Sequence, residues 1–138
     1  MYVIDASVAV RWFLADEEHP HADAILAQFL LDPTLFAVPE LFAFEVFAVL
    51  QRIHPRKEVF EEGFLPLLNT GVLRYPMTHE LLSHSLVFCD AGLTGYDATY
   101  AALAEMLDGT WLTFDERAHR SIATMNRSIS LAHELPKF

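Results

Sequence analysis

Four acidic residues, Asp5, Glu45, Asp97 and Asp115, stand where carboxylates can do chemistry. Glu45 lies in "LFAFEVFAVL", where nine of ten side chains are apolar, so a helix there has no broad polar face to solvate it. Burying a carboxylate costs several kcal/mol unless it is paired or neutralised. A partly exposed helix edge, or pairing with Arg52 two turns away, is the ordinary alternative. Asp5 ends the opening run "MYVID" and Asp115 ends "WLTFD"; in each, an apolar strand reaches an acid and a helix begins. Asp97 follows Thr94-Gly95-Tyr96 at the spacing of a reciprocal cap. For each of these three aspartates, capping the free N–H groups of a helix is a sufficient single-site explanation. Jointly, four converging carboxylates would repel one another and raise each other's pKa, a conflict that a divalent cation removes. Hard oxygen donors suit Mg2+ or Mn2+, which bind through a few carboxylates and keep several waters.

Proline and glycine punctuation divides the chain into the elements that must position these acids. Strands are expected at Tyr2–Ile4, Leu35–Val38, Val72–Tyr75, Thr110–Thr113 and Ser128–Leu131. Helices are expected at about Ser7–Phe13, His21–Leu31, Glu40–Ile53, Lys57–Leu68, His79–Cys89, Tyr96–Leu107 and Glu116–Met125. Strands alternating with helices favour a parallel sheet covered on both faces, with sites beyond the carboxyl ends of its strands.

The 138 residues suit one domain spanning 1–138, and 53% apolar composition is that of a globular chain. One cysteine, Cys89, excludes an internal disulfide and a thiolate zinc site. The start at Met1 has no basic region followed by a long apolar one, so a cytoplasmic protein is expected. The apolar stretch Leu35–Leu50 is interrupted by Pro39, Glu40 and Glu45 and falls short of a membrane span. A net charge of −10 argues against a plain nucleic-acid-binding module with a basic stripe, and fits either solvated surface acids or acids gathered around cations.

In order and interval, "VIDASVAVRWF", "VPELFAFEVFAVL", "LTGYDATYAALAE" and "WLTFDERAH" resemble the PIN-domain family, particularly VapC-type toxins of toxin–antitoxin pairs. The resemblance spans nearly the whole chain. It implies a three-layer α/β/α sandwich with a central parallel sheet and a metal-dependent endoribonuclease site using Mg2+ or Mn2+. Asp5, Glu45, Asp97 and Asp115 match the family's acidic quartet, and Ser7 and Thr113 match positions whose hydroxyls support the site. One position departs: family members often carry a polar residue three after the helix glutamate, where this chain has Ala48. The resemblance also implies a homodimer and a VapB-like antitoxin.

Two other readings stay open: a PIN-like scaffold that binds without cutting, and another α/β phosphoryl-transfer domain of receiver or haloacid-dehalogenase type. The latter wants a second acid two residues after the first, where Ser7 stands. Arg117 and Arg120 follow Asp115 and either face substrate phosphate or are simply solvated. Arg52, Arg56 and Lys57 form the one dense basic cluster, with the same two readings. Phe42, Phe44, Phe47, Phe60 and Phe64 are expected mostly in the core, with any excess apolar face available to a partner.

Overall fold

Short runs of β-branched and aromatic residues form five strands: β1 (Tyr2–Ile4), β2 (Phe36–Pro39), β3 (Leu73–Tyr75), β4 (Thr110–Thr113) and β5 (Ser128–Ser130). In the computed structural model, which describes residues Met1–Phe138, all five join one parallel sheet in the order β3-β2-β1-β4-β5. The chain first moves from β1 outward through β2 to β3, then returns to the other side of β1 for β4 and β5. That reversal leaves a crevice beyond the carboxyl ends of β1 and β4. The two strands begin in close approach, with Thr110 N–H donating to the Met1 carbonyl. Gly109 is required there because a Cβ would collide with that same carbonyl.

Seven helices cover the sheet: α1 (Ala6–Ala9), α2 (Pro20–Leu31), α3 (Leu41–Arg52), α4 (Leu65–Leu68), α5 (His79–Asp90), α6 (Gly95–Met106) and α7 (Glu116–Ser121). Strand register assigns them to opposite faces. Tyr2 pairs with Phe36, and Val3 pairs with both Ala37 and Trp111, so Trp111 and Phe36 point to opposite sides. Phe36 packs on Phe29 of α2, whereas Trp111 lies parallel to Tyr100 of α6 at 6.3 Å. Residues Ala98–Ala104 of α6 are all buried, because α6 is sandwiched between the sheet and α5. The result is the α/β/α sandwich with a central parallel sheet that the sequence leads one to expect.

Three helices depart from expectation, the first being that expected over Ser7–Phe13, which is α1 at Ala6–Ala9 followed by a 3-10 turn at Val10–Trp12. The segment expected as one helix from Lys57 to Leu68 contains a π turn at Val59–Phe64 before α4. Pro66 has no N–H to donate, so the regular ladder fails there and the turn upstream widens. The helix expected over Glu116–Met125 stops at Ser121, and a 3-10 turn at Ala123–Met125 ends on left-handed Asn126. No helix is long and apolar enough to cross a membrane.

Candidate active site

Asp5 is the first residue past β1, and strand alternation directs its side chain toward the α6 face, the side that Trp111 occupies. Its two oxygens are held differently. Oδ1 accepts the Ser7 backbone N–H at 2.9 Å and the Ser7 hydroxyl at 2.5 Å. Oδ2 accepts the Trp111 indole N–H at 3.0 Å. Ser7 Oγ in turn accepts Phe114 N–H at 3.0 Å, tying the end of β1 to the end of β4. Thr113, fully buried at the end of β4, accepts Asp115 N–H on its hydroxyl at 3.0 Å and so sets the path of the chain into the last acid.

The capping explanation therefore holds for Asp5 and Asp115 and fails for Asp97, whose carboxylate accepts no helix N–H. Asp5 caps α1, Asp115 Oδ1 caps α7 by accepting Ala118 N–H at 3.0 Å, and the Thr94 hydroxyl caps α6 by accepting Asp97 N–H at 3.2 Å. Capping leaves oxygen atoms to spare. All four acids, Asp5, Glu45, Asp97 and Asp115, line one cleft of ≈ 250 Å3 together with Ser7 and Tyr100. Two of them arrive from the ends of adjacent strands and two from the facing helices α3 and α6.

Glu45 Oε1 is buried in this cleft without a hydrogen-bond partner. The Tyr100 hydroxyl beside it favours the ionised carboxyl, yet no bond of good geometry joins them, and that hydroxyl is also buried and unpartnered. Buried polar atoms are normally satisfied, so a carboxylate oxygen and a phenol that have at best each other, on two residues lining a cleft, leave capacity for a further ligand.

Electrostatics point the same way. Burial pushes the Asp5 carboxyl up to about 6, against the hydrogen bonds from Ser7 and Trp111 that pull it down; the Asp97 charge adds to the rise. Glu45 is raised by burial and then by Asp97, and Asp97 is raised by burial and then by Asp115. Burial and the nearby carboxylates also push the Tyr100 phenol far up, so it stays a neutral donor. No group of three or more carboxylate, imidazole or thiol side chains is close enough to hold a metal ion as it stands. The donor set is nevertheless all hard oxygen, one atom of it is unsatisfied, and Mg2+ needs only one or two carboxylates besides its waters. The residues suit a divalent cation.

A family model described as the PIN domain matches residues 2–123. The chain belongs to the PIN domain family. Its solved structural neighbours include a toxin–antitoxin complex from Klebsiella pneumoniae, at 14% identity and TM-score 0.69, covering 95% of this chain and 98% of that one. Another is FitAcB from Neisseria gonorrhoeae, at 16% identity and TM-score 0.73, covering 97% and 100%. A third is a sarcin-ricin loop cleaving VapC toxin from Mycobacterium tuberculosis, at 16% identity and TM-score 0.69, covering 88% and 95%. At these identities the likeness is one of fold. No curated protein sequence matches the chain.

Two residues that support this PIN domain's cleft, Tyr100 in its lining and Trp111 behind it, escape a reading by spacing. Trp111 and Tyr100 look like core aromatics, and they are core, but the indole N–H holds Asp5 and the phenol stands beside Glu45. Other candidates fall elsewhere. Lys57 pairs with Glu61, and Arg56 lines a separate cleft beside Asp16 and Glu17. Phe42 and Phe64 are buried and Phe60 packs against the core, as expected for most of this cluster, whereas Phe44 and Phe47 are 70% and 52% exposed and form the excess apolar face.

Proposed function

We propose that this PIN domain is a metal-dependent endoribonuclease and the toxin of a VapBC-type toxin–antitoxin pair. The observation that carries the reading is Glu45 Oε1, buried and unpartnered in a cleft shared with three other acids. An apolar helix would not retain such a group without a ligand to satisfy it.

In this reading Asp5, Glu45, Asp97 and Asp115 hold Mg2+ or Mn2+, with Ser7 and Thr113 fixing the strand ends from which two of them project. The bound cation supplies a water of lowered pKa and offsets charge gathering on the phosphate oxygens. Hydrolysis would add one water across the bond from phosphorus to the 3′ oxygen, its hydroxyl going to phosphorus and its remaining proton to the departing 3′ oxygen. The products carry 5′-phosphate and 3′-hydroxyl ends. The buried aromatic wall of Trp111 and Tyr100 keeps the carboxylates oriented and screens their inner side from water.

The proposed partners are RNA, a VapB-like antitoxin and a second copy of the chain. Exposed Phe44 and Phe47, with Phe60, Phe64 and Leu65, line an apolar groove suited to such protein contacts. The test is cleavage of RNA by the purified protein in Mg2+ or Mn2+, repeated with excess EDTA and with Asp97→Asn. Cleavage that disappears in both controls is expected; activity at the wild-type rate in either would overturn the assignment.

A further inference from the structure

A second cleft, of ≈ 150 Å3, shares Asp97 and Asp115 with the first and is not lined by Glu45. Those two acids form a common wall, so the clefts are continuous across the carboxylates. The walls of the second cleft come from the loop at Gly92–Thr94 and from α7, and they are mostly polar. Arg117 lines it, and it is the one lysine or arginine in the lining of either cleft.

Its guanidinium is uncommitted. Arg74, Lys57 and Arg127 are held in ion pairs with Glu40, Glu61 and Asp108. Arg11 stacks on the Phe114 ring at 4.1 Å and donates to the Glu17 carbonyl. Arg117 makes no ion pair despite a net charge of −10 and the carboxylates nearby, and Ser121 Oγ donates only to its backbone carbonyl. Arg120, on the same helix, is exposed and free of ion pairs like Arg117, and differs from it in lining neither cleft.

We propose that the second cleft is a subsite for the RNA phosphodiester next to the scissile one, with Arg117 as its anion-binding residue. The inference rests on the nuclease reading of the acids. A polyanion crossing four carboxylates needs positive charge beside them, and a cation at the acids serves only the phosphate under attack. Arginine suits the neighbouring phosphate because its planar fork can donate two parallel hydrogen bonds to phosphate oxygens. Thr94 and Ser121 place hydroxyls along the same walls. Since Arg117 touches a phosphate that does not react, it contributes to binding and leaves the chemical step to the acids.

The test uses short fluorophore-labelled single-stranded RNA of randomised sequence in Mg2+, with fluorescence anisotropy across a salt series and cleavage followed in parallel. Wild type, Arg117→Ala, Arg117→Lys and Arg120→Ala are compared. Arg117→Ala is expected to weaken binding about fivefold at low salt, the upper range for an exposed charge contact. Its plot of log affinity against log salt should be shallower by about 0.7, the share of one single-strand phosphate contact. Arg117→Lys should recover most of the slope, and Arg120→Ala should match wild type. Equal affinity and slope in Arg117→Ala and wild type would overturn the subsite, as would an equal loss in Arg120→Ala. The outcomes separate the two readings. Cleavage by wild type without dependence on Arg117 removes only the subsite, whereas Arg117-dependent binding without cleavage removes the nuclease reading and keeps the contact.

Discussion

Trp111 donates its indole N–H to Asp5 Oδ2 at 3.0 Å from inside the core, while the same ring lies flat against Tyr100, whose hydroxyl stands beside Glu45. One aromatic pair thus braces acids from a strand and a helix. Trp111→Phe keeps most of the packing and removes the donor. It should destabilise the fold by about 1–3 kcal/mol through the buried acceptor it leaves unpaired, and shift the rise of cleavage with pH toward higher pH. Urea unfolding and a pH–rate profile check both; an unchanged profile would mean that the indole only fills space.

Asp5 gives the metal-free protein a stability that depends on pH. Its carboxyl is raised by burial to about 6 in the fold from an ordinary value of 3.8. Between these values the folded chain keeps a proton that the unfolded chain has released, so stability falls as pH rises through this window and levels off above it. The loss amounts to about 3 kcal/mol, at about 1.4 per pK unit. Glu45 and Asp97 are raised as well and act in the same direction. Urea denaturation in EDTA from pH 4 to pH 7, with Asp5→Asn as reference, isolates the contribution: the difference between the two proteins should shrink or reverse as the wild type loses its proton.

Glu45→Gln should separate stability from activity. The amide keeps the shape and removes a charge that burial and Asp97 both disfavour. The melting temperature of the metal-free protein is expected to rise, while RNA cleavage falls by about 100-fold or more as a charged group at the reacting centre is lost. A variant that is less stable and fully active would contradict this account of Glu45.

Ser7 joins two strand ends through a single oxygen, which donates to Asp5 and accepts from Phe114 N–H. Ser7→Ala strands that N–H and removes one bond from Asp5, for an expected cost of about 1–3 kcal/mol. Affinity for Mn2+, measured calorimetrically, should fall about 10-fold, as when a residue that orients a ligand is lost. Unchanged affinity would show that Trp111 and the Ser7 backbone N–H suffice to orient Asp5.

Much of this site can be read along the chain because its acids sit at punctuation. Asp5 and Asp115 each mark the change from an apolar strand to a helix, and parallel pairing of β1 with β4 makes those two ends neighbours. Glu45 is conspicuous because everything around it is apolar. Trp111 and Tyr100 are not, since their roles depend on register: only the pairing of Val3 with Trp111 places the indole on the face toward which Asp5 points. The exposure of Phe44 and Phe47 is equally hidden, because an apolar run reads the same whether its cover comes from this chain or another. The π turn before α4 contains Gly63, whose backbone lies against Phe13, a tertiary contact that local propensity does not carry.

The central claim is that Asp5, Glu45, Asp97 and Asp115, which line one cleft without converging on a point as they stand, close on a shared divalent cation. Anomalous scattering from crystals grown with Mn2+ tests it most directly. The account predicts a manganese peak inside the cleft, within bonding distance of Asp5 and at least one of the other three acids, with Glu45 Oε1 no longer unpartnered. A protein that cleaves RNA in Mn2+ and shows no peak among these carboxylates would contradict it.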